Sequence, residues 1–157
     1  MSVEALAECI RHSISGDPWH GPAFADLLAD ISEAEAAAHP IAGAHSILEI
    51  VRHVTSWIEE TDSRLRGNPP ALPVAGDWPA VSAWLEAQAR LKEAHERLQR
   101  SLAAFPAARL SEVIGDLREP PLGTGVTYEA TLLGLAQHHA YHGGQIALLR
   151  RALSDAA

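Results

Sequence analysis

The stretch 46–65, SILEIVRHVTSWIEETDSRL, constrains the fold most, because its apolar residues recur with the period of an α-helix. Ile47, Ile50, Val51, Val54 and Ile58 fall on one face, and Ser46 and Glu49 have the spacing of a capping box, in which each side chain caps the other residue's backbone N–H. A helix with such a stripe must bury it against another element. The pattern recurs. Segment 3–14 places Leu6, Cys9, Ile10 and Ile14 on one face, and helical pieces follow at 23–28 and 31–40. A third long helix is expected from Asp77 as N-cap, with Pro79 in its first turn, to residue 104. Its inward residues would be Val81, Trp84, Leu85, Leu91, Leu98 and Leu102. The last, capped by Thr127, would run to residue 153. Segments 15–22, 68–77 and 105–125 are rich in Pro and Gly or irregular, and no stretch alternates apolar and polar residues as a half-buried strand would. The expectation is an all-α four-helix bundle, one domain over residues 1–157. Two connections are long enough to cross the bundle, so the helix directions stay open.

Composition narrows the function classes. Lys plus Arg number 12 against 20 for Asp plus Glu, a balance that repels phosphate backbones and anionic lipid. No nucleic acid and no membrane are therefore expected as partners. No apolar run reaches the length of a membrane span, and MSVEALAECIRHS lacks the layout of a signal peptide. Cys9 is the only cysteine, which excludes an intrachain disulfide and a four-thiolate metal site and fits the cytoplasm. Nine histidines are many for 157 residues.

Three of them lie in HHAYHGGQI, residues 138–146. His138 and His142 are one helical turn apart and share a face with Leu135, Ile146 and Leu149, which should point into the bundle. Such a pair is half a metal site, or two packed core imidazoles. His53, set among Ile50, Val51, Val54 and Trp57, is a third candidate ligand, away from a polar face marked by Glu59, Glu60 and Arg64. His139 is rotated about 100° from His138. It should face another helix or solvent, so its replacement by alanine is expected to leave metal binding and metal-dependent turnover nearly unchanged. Gln145 could hydrogen-bond a ligand ring or simply join two helices, and Glu49 could orient His53 or only cap. His20 lies in a loop that could line a pocket mouth. His45, just before the N-cap Ser46, is expected to be partly exposed. His39 and His95 read as surface, and Tyr141 and Trp57 as core. Gly143 and Gly144 would allow close approach of a helix or a second subunit.

The segment GLAQHHAYHGGQIALLRR (134–151), together with PWHGP (18–22), AHSILEIVRHVTSW (44–57) and DWP (77–79), resembles the DinB/YfiT-like superfamily of metal-dependent proteins over essentially the whole chain. The resemblance implies a bundle of up-down-down-up topology, usually homodimeric, with one divalent ion, commonly nickel or zinc, held by three histidines. By position those ligands fall on His53, His138 and His142. Some relatives transfer a low-molecular-weight thiol and others are hydrolases or isomerases, so a small-molecule substrate is implied but the reaction is not. Three neutral imidazoles leave a divalent cation with open positions, the layout of a catalytic site more than of a closed structural one. A non-catalytic metal- or ligand-binding module, or a structural homodimeric bundle, is the alternative.

Overall fold

A computed structural model describes residues 1–80 and 83–155. The long helices are α1 (Val3–Ser15), α4 (Ile47–Leu65), α5 (Trp84–Ala103) and α6 (Tyr128–Asp155). The short α2 (Phe24–Leu28) and α3 (Glu33–Ala37) lie between α1 and α4. A two-residue antiparallel ladder, β1 (Val113–Ile114) with β2 (Val126–Thr127), precedes α6. The capping box is formed: Ser46 Oγ accepts from Glu49 N, and a Glu49 carboxylate oxygen accepts from Ser46 N. Thr127 Oγ1 accepts from Ala130 N at 3.1 Å and so caps α6.

Paired residues give the helix directions. The amino terminus of Met1 meets Glu129 at the start of α6, and Ser13 near the end of α1 bonds His139 further along it, so α1 and α6 run parallel. The Tyr128 hydroxyl, at the first residue of α6, donates to the Arg64 carbonyl at the end of α4, so these two are antiparallel. Glu59 accepts from Arg90 and Arg97, and Asp62 from Ser101, so α4 and α5 are parallel. The order is up-down-down-up, as the resemblance implies. Parallel neighbours require the chain between them to travel back along a helix of 19 residues, close to 28 Å at about 1.5 Å per residue. The crossing begins at residue 66, and at Asp77 it passes over the middle of α4.

The core is apolar and continuous. Ile47, Ile50, Val51, Val54 and Ile58 are at most 2% exposed, and Leu6, Ile10, Leu98, Leu102, Leu132 and Ile146 join them. Each such side chain contributes roughly 1.5–3 kcal/mol by leaving water.

Several expected placements are corrected. Helix α5 starts at Trp84 rather than at an Asp77 cap, because Asp77 is engaged by Trp57 and His53 on α4; Val81 lies outside the described residues. Leu85 is 78% exposed, since the inward spacing of α5 runs through Trp84, Ala87, Leu91, Ala94, Leu98 and Leu102 and leaves position 85 rotated outward. Cys9 is exposed, and Val3 and Ser13 complete the buried face of α1. Glu60 and Arg64 do not mark a polar face but form a buried ion pair, Arg64 Nε to Glu60 Oε1 at 3.0 Å, beneath the segment around residues 71 and 122. His95 is buried, one turn from Leu91 and Leu98 on the inner side of α5.

Candidate metal centre

His53 comes from the middle of α4, and His138 and His142 from successive turns of α6. Antiparallel packing brings the three to one depth. His138 Nε2 lies 2.9 Å from His53 Nε2 and 3.0 Å from His142 Nε2. These three residues form a group whose nitrogens are close enough to hold a metal ion.

The outer nitrogens define the tautomers. His53 Nδ1 is 2.7 Å from the Asp77 carbonyl oxygen, which can only accept, so Nδ1 carries the proton and Nε2 the lone pair. His142 Nδ1 is 2.7 Å from Gln145 Oε1, with the same consequence. Two lone pairs therefore face the Nε2 of His138, and that arrangement calls for a proton or a cation among the three nitrogens. A tetrahedral ion with nitrogen distances of about 2.0–2.1 Å would separate its ligands by roughly 3.3 Å. His138 would have to move from each of the other two rings by only a few tenths of an ångström. The donor set and its geometry fit a divalent cation.

Burial keeps His138 and His142 neutral. The His138 imidazolium is disfavoured first by burial and then by His142 and His53, which lowers its pKa to about 3. Burial is likewise the main cause for His142, lowered to about 4, while its hydrogen bond to Gln145 acts in the opposite direction. A neutral imidazole is the form that binds metal. The nearest carboxylate, Asp77 Oδ1, lies 3.3 Å from His53 Nδ1 and 2.7 Å from the Trp57 Nε1 that donates to it. A carboxylate behind a ligand histidine orients the ring and raises its basicity. Trp78 stacks on His53 with ring centroids 4.1 Å apart, and on its other face His45 stacks at 3.6 Å. On the other side of the cluster His138 borders a cavity of about 520 Å³ between α4, α6 and residues 118–126.

The remaining sequence candidates divide. Gln145 supports His142. Glu49 does not orient His53: its carboxylate caps Ser46 and meets His39 and His45. His20 is exposed and lines a separate cleft between α1 and α6, beside Cys9 and Trp19. Tyr141, expected in the core, is 66% exposed, although its ring lies 5.0 Å from that of His142. Trp57 is half-buried and lines the cavity. His139 faces another helix, α1, with Nδ1 2.8 Å from Ser13 Oγ and its ring edge-on to Phe24, and it is fully buried. Gly143 packs beside α2, where a Cβ would stand in ordinary contact with Leu27 and Phe24 at 3.5 and 3.6 Å, whereas Gly144 faces open space. Reading the sequence missed Asp77 and Trp78 as site residues. Their signal was an Asp-Trp-Pro set in a Pro- and Gly-rich crossing, where an N-cap also explained the aspartate.

No curated protein and no solved structure matches the chain. A family model does, that of the DinB superfamily, over residues 19–146. That span contains the three histidines, the Asp77–Trp78 pair and Gln145, and with the helical bundle around it the match means that the chain belongs to the DinB superfamily.

Proposed function

We propose that the protein is a metal-dependent enzyme that binds one divalent ion, nickel or zinc, through His53, His138 and His142 and acts on a small molecule, by transfer of a low-molecular-weight thiol or by hydrolysis. The observation that carries the reading is the convergence of three Nε2 atoms, two with tautomers set by carbonyl acceptors, at the border of a cavity of about 520 Å³. When bound, a divalent cation supplies Lewis acidity that stabilises negative charge on a nucleophile or a developing oxyanion. The chain's own residues do the rest. His53 and His142 present lone pairs, Asp77 and Gln145 hold their rings, and Trp78 covers one side and excludes water. The cavity leaves approach open at His138. A site closed on every side would favour the non-catalytic alternative; the cavity at His138 favours a substrate.

The working form we infer is a cytoplasmic homodimer. Tyr141 and Leu148, 66% and 63% exposed, lie seven residues apart on the outer face of α6 beside Gly144, an apolar face suited to a second subunit. The lone cysteine is exposed, as a reducing compartment tolerates.

The test begins with metal analysis of protein purified without a histidine tag or nickel column. Zinc- or nickel-loaded protein is then mixed with a low-molecular-weight thiol and an electrophilic acceptor such as monochlorobimane, and separately with activated esters and amides. Turnover that needs the metal and disappears in His53→Ala supports the reading. Native protein without metal, and no metal-dependent turnover in either assay, would remove it.

A further inference from the structure

We propose that the cavity beside His138 selects small molecules that carry an oxyanion, carboxylate or phosphate, and that Arg118 recognises it. The placement of the reacting end at His138 rests on the proposed metal site; the recognition of charge does not. Among the described residues two arginines, Arg64 and Arg118, line this cavity and no carboxylate does, in a chain of net charge −8.

The two guanidiniums differ. Arg64 is 3% exposed and occupied: Nε donates to Glu60 at 3.0 Å, and Nη2 to the carbonyls of Ala71 and Leu122 at 3.3 and 2.7 Å. Its charge is largely answered by Glu60. Arg118 donates only through Nη1, to the Thr124 carbonyl at 3.0 Å, and makes no ion pair among the described residues. Arg118 is exposed, and that single bond anchors the group and leaves Nε and Nη2, the edge that grips an oxyanion with two parallel hydrogen bonds, without a protein partner among the described residues.

Apart from Thr61 and Thr131, the rest of the wall is largely apolar, from Pro120, Pro121, Val126 and Leu135. The fitting ligand has an apolar body and a charged end. Gly134, one turn before His138, lines the same space, and nothing lies within 4 Å of where its side chain would begin. A larger residue there would narrow the cavity on its α6 side, and its Cβ would meet no neighbouring atom.

The experiment is a ligand-observed NMR titration of phenylacetate, phenyl phosphate and the uncharged phenylacetamide, in zinc-loaded protein and in protein kept metal-free by chelator. Charge-assisted hydrogen bonds lead us to expect that at least one acid binds roughly tenfold tighter than the amide in both forms. The preferred acid identifies the oxyanion. Arg118→Gln should abolish the preference and leave the weak binding of the amide, a split that loss of a merely structural arginine would not produce. Gly134→Leu should weaken binding of all three probes. Acids that bind no better than the amide would overturn the proposal. So would a preference that requires zinc and survives Arg118→Gln, because the oxyanion would then sit on the metal. So would unchanged binding in Gly134→Leu. Zinc calorimetry on the same samples keeps the two readings apart: if zinc does not bind, the metal site fails, while the charge preference of the chelated protein still tests Arg118.

Discussion

His53 Nδ1 donates to the backbone carbonyl of Asp77 over 2.7 Å, across 24 residues of sequence. This bond joins the ring proposed as a ligand to the crossing between two parallel helices, and it directs Nε2 inward. Because a backbone atom accepts, the tautomer survives most substitutions at position 77. Asp77→Ala should therefore leave His53 in place but free Trp57 Nε1, remove the nearby carboxylate and loosen the crossing. Metal affinity should fall about 10–100-fold, the range for residues that support ligands, and Asp77→Asn should lose less. Zinc calorimetry on both variants measures this; equal affinities in Asp77→Ala and wild type would deny the crossing any role in the site.

Removing a ligand should cost more. His53→Ala leaves an i, i+4 pair to hold the ion weakly, and X-ray absorption of loaded wild type should report three imidazole nitrogens at about 2.0–2.1 Å. A first shell without three such nitrogens, or a His53→Ala variant that binds as tightly as wild type, would contradict the proposed ligand set.

His139→Ala should show the opposite profile. The ring fills core space between α1, α2 and α6, and its loss deletes the bond to Ser13. A cost of about 2–4 kcal/mol in stability is expected, with zinc affinity almost unchanged once the protein is folded. Chemical denaturation beside calorimetry separates the two quantities.

The pH dependence of stability follows from the lowered pKa values. In the folded, metal-free protein His138 stays neutral down to about 3 and His142 down to about 4, whereas unfolded histidine titrates near 6.5. Between these values the unfolded chain binds more protons, so stability falls as pH drops from about 6.5. The slope is at most roughly 1.4 kcal/mol per pH unit for each ring, and these two rings add no pH dependence above about 7.5. Melting temperatures of chelated protein across pH 4–8 should show this decline, less steep in His138→Gln. A flat profile across the window would mean that the rings are not buried as described.

Tyr141→Glu with Leu148→Glu should give a monomer by light scattering at micromolar concentration if the outer face of α6 is the subunit contact, with zinc binding retained. A wild type that is itself monomeric there would remove the dimer.

Much of this was legible in the sequence because it is local. The stripe of Ile47, Ile50, Val51, Val54 and Ile58, the Ser46–Glu49 box, the Thr127 cap, and the placing of His138 and His142 on one face all follow from the helical repeat within a few residues. His53 could be named as a third candidate because it stands in such a stripe. Tertiary structure decided what depends on the element opposite. Leu85 and Cys9 are apolar yet turn outward, and His139, His95, Glu60 and Arg64 are polar yet buried, because another helix or loop covers them. Asp77 and Trp78 join the site only because α4 and α5 run parallel, so the chain between them must return across α4. Periodicity reports which residues share a face; it carries no information about which distant segment will meet that face, and hydrogen-bond partners, tautomers and the charge of a cavity are set there.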